Sequence, residues 1–246
     1  MGRSSPVVKV LILRGPGTNC DMETGFAFKM AGAYVEYIYI DSLLKNPEKL
    51  LKFQILSIPG GFTYGDDLGA GMVMAARLNT IKNSIENFVE EGNLVIGICN
   101  GFQILLKMGL LPGLDIRDIT LTLIEGARFR DEWLTLKVES KKCIFTKGMK
   151  TIHIPMANSE GRLVFGEPSI QKKLKEKGYI ALRYIGKDPT GSDGKIAGLC
   201  DMTGRILGLM PHPERNLFPH SPPDWQDGKI GGEGLLIFKN AVEYFG

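Results

Sequence analysis

Over its first hundred residues the chain alternates short, almost wholly apolar runs with stretches of helical periodicity. The runs cover residues 7–13, 34–40, 54–58 and 94–98, and the helical stretches cover 21–31, 43–53 and 72–91. A strand buried on both faces reads as a continuous apolar run, whereas a half-exposed strand alternates apolar with polar. Val7-Val8-Lys9-Val10-Leu11-Ile12-Leu13 is of the first kind. Parallel strands need crossover connections, and helices of this length supply them with one hand. The pattern therefore predicts an α/β fold: an open, mostly parallel sheet with helices on both faces. Thr18 and Asn19 are candidate caps for the first helix and Gly32 its stop; the second is reset at Asn46-Pro47. Val73, Ala76, Ile81, Ile85, Phe88 and Val89 recur close to a 3.6-residue spacing, so residues 72–91 read as one helix ended by Gly92.

After Pro112-Gly113 the texture changes. Residues 116–124, 133–138 and 151–154 alternate apolar with polar, as half-exposed antiparallel strands do, which predicts added antiparallel strands at an edge or in a small second sheet. Residues 168–178 read as a solvated helix; Lys172, Lys173, Lys175 and Lys177 could also face a partner. Strands follow at 179–185, 196–201 and 205–210, with a turn at 201–204, and an amphipathic helix at 232–244 closes the chain. No repeat, low-complexity tract or linker interrupts residues 1–246, so a single domain with a decorated sheet is expected.

Composition narrows the function classes. With 246 residues, 43% hydrophobic, the chain can bury a full core, which excludes a disordered tail. Lys+Arg 30 against Asp+Glu 27 is too balanced to argue for nucleic acid. No apolar run approaches the roughly 20 residues of a membrane span, and the N-terminus lacks a secretory h-region, so a cytoplasmic location without membrane contact is expected. Cys20, Cys99, Cys143 and Cys200 form no C-x-x-C pair, so reduced thiols are expected rather than a zinc cage or a disulfide framework.

The most informative segment is Gly97-Ile98-Cys99-Asn100-Gly101, between an apolar strand and the helical pattern 102–108. In such an elbow a sharp strand-to-helix turn forces the nucleophile into strained backbone, and flanking glycines remove the Cβ clashes. The thiol then projects where the helix N-terminus favours thiolate over thiol. A buried, inert cysteine is the plain alternative. Acyl transfer from a thiolate also needs an imidazole and a group to orient it. Of the three histidines, His153 lies in an alternating strand and His220 in a Pro-rich loop, where packed or solvated roles suffice. His212 stands in Pro211-His212-Pro213-Glu214, which the prolines hold extended, so that His212 and Glu214 share one side. A rigid loop with an incidental ion pair is the alternative there. Donors for an oxyanion are offered by the Asn100 N–H and by Pro59-Gly60-Gly61-Phe62, which is equally a tight βα turn. All three segments fall at predicted carboxyl ends of strands, the edge where ligands bind in open α/β sheets. Gly15-Pro16-Gly17 reads as a turn; Cys20, near a helix start, could be a reactive thiol, but without flanking glycines a packed or bystander role is favoured. No phosphate loop or metal-ligand spacing occurs, so no cofactor or metal is expected in this chain.

Gly97 to Leu105 (GICNGFQIL) and Pro211-His212-Pro213-Glu214-Arg215 resemble the class I (triad) glutamine amidotransferases. Together with Gly15-Pro16-Gly17-Thr18-Asn19-Cys20-Asp21 and Pro59-Gly60-Gly61-Phe62-Thr63-Tyr64-Gly65-Asp66, they resemble the glutaminase subunits of phosphoribosylformylglycinamidine synthase, essentially end to end. The resemblance implies a flavodoxin-like fold in which Cys99 attacks the glutamine side-chain amide, His212 protonates departing ammonia and Glu214 orients His212. It further implies an oxyanion hole from the N–H groups of Gly61 and Asn100, with Phe62, Tyr64 and Gln103 helping to hold glutamine. Ammonia would pass to a synthetase subunit that uses ATP and Mg to convert formylglycinamide ribonucleotide to the amidine in purine biosynthesis, with a small third subunit as a further expected partner. Two departures stand out: Ala157-Asn158-Ser159-Glu160-Gly161 replaces an expected Ala-His-Gly-Glu-Gly, and the 220–232 loop is longer than expected. Competing readings are a glutaminase serving another synthetase, and a non-catalytic flavodoxin-like module with a redox-sensing Cys99.

Overall fold

The protein is described by a computed structural model covering residues 7–113, 118–228 and 231–246. Its first half builds β1 (Lys9–Arg14), α1 (Asp21–Met30), β2 (Tyr34–Tyr39), α2 (Ile40–Lys45), β3 (Ile55–Ile58), α3 (Met72–Leu78), α4 (Lys82–Glu90), β4 (Leu94–Ile98) and α5 (Asn100–Lys107). The second half adds β5 (Ile119–Leu123), β6 (Arg130–Val138), β7 (Thr151–Asn158), β8 (Glu160–Phe165), α6 (Pro168–Lys177), β9 (Ile180–Tyr184), β10 (Ile196–Cys200), β11 (Ile206–Leu209) and α7 (Leu235–Glu243).

Nine strands form one sheet in the order β2-β1-β3-β4-β11-β10-β9-β6-β7. The pairings from β2 to β11 are parallel, and those from β11 to β7 are antiparallel. The inner strands of the parallel half are the continuous apolar runs, with β3 and β4 buried at every position, whereas the edge strand β2 mixes buried with exposed positions. Each large aliphatic side chain so buried contributes about 1.5–3 kcal/mol. Strand order reverses after β2, and crossovers of one hand then put α1 on one face and α3 to α5 on the other. The closing helix α7 packs beside α1, with the Phe28 and Phe238 rings edge to face at 4.9 Å. The strand order switches between β1 and β3, and in open α/β sheets the carboxyl edge at such a switch is where ligands bind.

The antiparallel expectation is met twice over, by strands added to the main sheet and by a separate two-stranded sheet of β5 and β8. Four local expectations need correction. Strand β8 went unpredicted because Gly161 and Arg162 break its alternation; it forms because β5 pairs with it. The helix expected over 72–91 is two helices joined by a tight turn at Asn79–Ile81, where the Thr80 hydroxyl donates to the Arg77 carbonyl at 2.8 Å and so competes with helical hydrogen bonding. Thr18 and Asn19 do not cap α1. Its N-cap is Cys20, and Thr18 Oγ1 instead accepts the Gly15 N–H at 3.0 Å. Finally, β7 runs four residues beyond the predicted 151–154, carried by its register with β6. Residues 116 and 117 of the strand predicted at 116–124, and 229 and 230 of the 220–232 loop, lie outside the described residues. No helix among the described residues is long and apolar enough to cross a membrane.

Candidate active site

Three strands end side by side at the carboxyl edge. In register, Ile58 lies beside Gly97 and Leu209 beside Ile98, so Gly60, Cys99 and His212 follow from adjacent strand ends. The Cys99 N–H donates to the Leu209 carbonyl at 2.8 Å, tying the elbow to the segment that carries the imidazole.

At the elbow Cys99 has φ 52° and ψ −108°, a conformation L-residues avoid unless the surroundings impose it. The flanking glycines are required by close approach. A Cβ on Gly97 would lie 2.5 Å from the Gly101 carbonyl oxygen, and one on Gly101 would overlap the Ile58 carbonyl. Cys99 is thus the N-cap of α5, at the helix end whose first N–H groups have no intrahelical partner.

His212 and Glu214 are 2% and 3% exposed, and His212 Nδ1 lies 2.7 Å from Glu214 Oε1. The expected extended segment is not what joins them. His212 is extended, but Pro213 opens a 3-10 turn over Pro213–Arg215, because its fixed φ suits the first helical position. That turn swings Glu214 back beneath the ring. The His212 N–H donates to the Pro155 carbonyl at 2.7 Å, and the Asn216 N–H closes the turn onto the Pro213 carbonyl at 3.0 Å. On the other side of the ring, Nε2 has no hydrogen-bond partner in the protein; the Cys20 sulfur lies within 4.8 Å of a ring nitrogen, and a Cβ on Gly60 would meet His212 Cε1, the Cys20 sulfur and Cys99 Cβ at 3.0–3.4 Å. Burial pulls the imidazole pKa down, but the negative charge of Glu214, with Cys99 and Cys20 beside the ring, outweighs it, holding His212 well above its ordinary value. The paired Nδ1 donates to Glu214, leaving Nε2 to exchange a proton with whatever lies beside the sulfur of Cys99.

The glycine pair does more than turn the chain. Gly61 has φ +148°, and a Cβ there would lie 2.6 Å from the Gly17 carbonyl oxygen. The loop after β1 packs directly on it: the Cys20 N–H donates to the Gly60 carbonyl at 3.2 Å and the Phe62 N–H to the Gly17 carbonyl at 2.9 Å. Gly15-Pro16-Gly17 is thus the wall of the site.

The side chain of Asn100, which sequence reasoning passed over in favour of its N–H, is the hub of a buried network. Its Oδ1 accepts from the Thr63 hydroxyl at 2.6 Å, and its Nδ2 donates to Gln103 Oε1 at 2.9 Å and Asp66 Oδ1 at 3.1 Å. Gln103 Nε2 donates to the Glu160 carbonyl at 2.7 Å. This network clamps the loop at Thr63–Asp66, whose Tyr64 and Gly65 are left-handed, onto the elbow. Burial raises the Asp66 carboxyl pKa and lowers that of the nearby Lys107 ammonium. Of the three glutamine-holding candidates, Phe62 is exposed at the rim. The Tyr64 hydroxyl accepts from Arg77 at 2.5 Å, and Gln103 is committed within the protein. His153 stacks on Trp133 at 5.4 Å and His220 on Phe218 at 5.5 Å, the packed roles expected of them. Asn158, at the expected histidine position, is buried at the end of β7.

Cys20, read from sequence as a bystander, stands within the site. Its sulfur, Glu23, His212 and Glu214 offer ligand atoms within 4.8 Å of one another. That donor set fits a metal poorly: Glu214 already holds His212, and the Arg215 guanidinium already contacts Glu23 at 3.0 Å and Cys20 at 3.4 Å. The signal that could have found Cys20 was its place at the carboxyl end of a strand, opposite the glycine pair.

Residues 7–245 match the family described as "CobB/CobQ-like glutamine amidotransferase domain". The chain is a glutamine amidotransferase. A Dehalococcoides mccartyi protein named phosphoribosylformylglycinamidine synthase subunit PurQ is 45% identical, the match covering 96% of this chain and 97% of that protein. A Methanococcus maripaludis protein of the same name is 39% identical over 97% of this chain and 98% of its own. Among solved structures, one described as "Structure of PurLQS from Thermotoga maritima" superposes with a TM-score of 0.78 at 32% identity, covering 98% of this amidotransferase and 100% of that chain.

Proposed function

We propose that this amidotransferase is the glutaminase subunit of a phosphoribosylformylglycinamidine synthase. The observation that carries the reading is the convergence of a strained Cys99 with a buried, charge-paired imidazole at one sheet edge, in a chain 45% identical to a protein of that name. The Cys99 thiolate attacks the side-chain carbonyl carbon of glutamine. Charge gathers on the carbonyl oxygen, which accepts from the Gly61 and Asn100 N–H groups. His212 Nε2 passes its proton to the departing nitrogen, the C–N bond breaks and ammonia leaves a glutamyl thioester. His212 then takes a proton from water, which attacks the thioester and releases glutamate and the thiolate. Glu214 fixes the ring throughout, while Gln103 and the Phe62–Tyr64 loop shape the glutamine pocket.

Ammonia passes to a synthetase partner, which uses ATP and Mg to activate the formamide oxygen of formylglycinamide ribonucleotide; a small third subunit completes the assembly, in the cytoplasm. In the reconstituted complex, Cys99→Ala should abolish glutamine-dependent amidine synthesis and spare synthesis from added ammonium; loss of both would sink the proposal. A glutamine-mimicking diazo ketone should leave one covalent adduct, on Cys99, by intact mass.

A further inference from the structure

We infer that Cys20 is a positioning residue of the same centre: its sulfur holds the imidazolium of His212 in place after the Cys99 sulfur has become bonded to substrate. The inference rests on the glutaminase reading above.

Cys20 is pinned at the head of α1. Its N–H donates to the Gly60 carbonyl at 3.2 Å, and its carbonyl accepts from the Thr24 N–H at 3.0 Å and the Thr24 hydroxyl at 2.7 Å. The thiol is oriented as well as placed. Its S–H donates to Asn19 Oδ1 at 3.2 Å, which leaves the sulfur lone pairs to act as acceptors. One faces Arg215 Nη2 at 3.4 Å, and that guanidinium is itself held by Glu23 Oε1 at 3.0 and 3.1 Å. The other side faces the His212 ring. A Cβ built on Gly60 would lie 3.0 Å from His212 Cε1, 3.1 Å from Cys20 Sγ and 3.4 Å from Cys99 Cβ, so the three side chains surround one spot that only glycine leaves free. Burial raises the Cys20 pKa, which favours the thiol over the thiolate and makes it an acceptor rather than a second nucleophile.

The chemistry needs such a group. Before attack, the negative sulfur of Cys99 attracts the imidazolium. In each tetrahedral intermediate that sulfur is bonded to carbon and has lost its charge, yet the ring must keep its direction until the proton is delivered. Glu214 fixes only Nδ1. The Cys20 sulfur, within 4.8 Å of a ring nitrogen and held by contacts that the reaction does not change, is the acceptor beside the ring that stays in place for the imidazolium.

The test is Cys99 modification and glutamine hydrolysis by the full chain across pH, comparing wild type with Cys20→Ala and Cys20→Ser. Removing an acceptor that helps raise the His212 pKa should move the basic limb to lower pH and cut kcat/KM about tenfold in Cys20→Ala, since hydrogen bonds to charged groups carry effects of this size. Cys20→Ser, which keeps a small acceptor, should recover part of both. An unchanged basic limb in Cys20→Ala, or equal losses in the two variants at an unshifted limb, would overturn the inference. Should Cys20→Ala misfold, Cys20→Ser carries the test alone: its weaker acceptor should displace the limb in the same direction by less, and an unmoved limb there counts against it. Failure of the wild-type chain to take up the diazo ketone sinks the glutaminase reading instead. Alkylation of Cys99 by iodoacetamide across pH still reports whether Cys20 governs the imidazole.

Discussion

Glu214 Oε1 lies 2.7 Å from His212 Nδ1 with a single proline between the two residues, and its second oxygen, Oε2, has no hydrogen-bond partner. The carboxylate is thus directed at the ring. Glu214→Gln should keep the fold and the contact while removing the charge that makes Nε2 basic. We expect kcat to fall by roughly 10²–10⁴, as when the carboxylate of a catalytic triad is made neutral, with the melting temperature changed by only a few degrees. A Gln variant within threefold of wild type would show that Glu214 does not orient the base.

The raised His212 pKa makes stability depend on pH in a definite direction. A histidine whose folded pKa lies above its unfolded value binds more protons in the native state. Its stabilisation is fully present below about 6.5, the ordinary value, and is lost as pH climbs through the folded value. Urea midpoints measured upward from pH 6.5 should decline in wild type. In His212→Gln that decline should flatten, and parallel curves would refute the assignment.

Asn100→Ala removes the hub of the buried amide network. The Thr63 hydroxyl and Gln103 Oε1 lose partners in a buried site, at about 1–3 kcal/mol for each orphaned group. Urea unfolding should read that loss, and KM for glutamine should rise as the Thr63–Asp66 loop comes free. A variant of wild-type stability would mean the network is not closed.

Two glycine substitutions should separate fold from site. Gly101→Ala meets the Ile58 backbone, which cannot yield without disrupting the β3–β4 junction, so a stability loss of about 3 kcal/mol or more is expected. Gly60→Ala meets only side-chain atoms, at 3.0 to 3.4 Å. It should cost under about 1 kcal/mol by denaturation, yet slow Cys99 modification about tenfold, because small misplacements of reacting groups are expensive. Equal effects on stability and reactivity would contradict this.

Local features were legible from sequence because their causes are local. Buried strands announce themselves by unbroken apolar runs, and the Cys99 elbow by glycines within two residues on either side. The nearness of His212 to Glu214 was also local, although a Pro-initiated 3-10 turn rather than an extended segment produces it. Strand β8 escaped detection for the complementary reason: its partner β5 lies some forty residues away, and its own alternation is interrupted.

The amino-acid order by itself determined which segments are the buried strands of the parallel half, where the thiol is forced into strain, and which histidine is paired with a carboxylate. Only the tertiary structure decided that β11 lies beside β4, bringing His212 to Cys99 across more than a hundred residues. It also decided that β1 lies beside β3, bringing Cys20 to the same ring and to Arg215. Periodicity reports the environment a segment requires, whereas adjacency in a sheet is chosen by hydrogen bonds and burial shared with a distant partner, which no local pattern encodes.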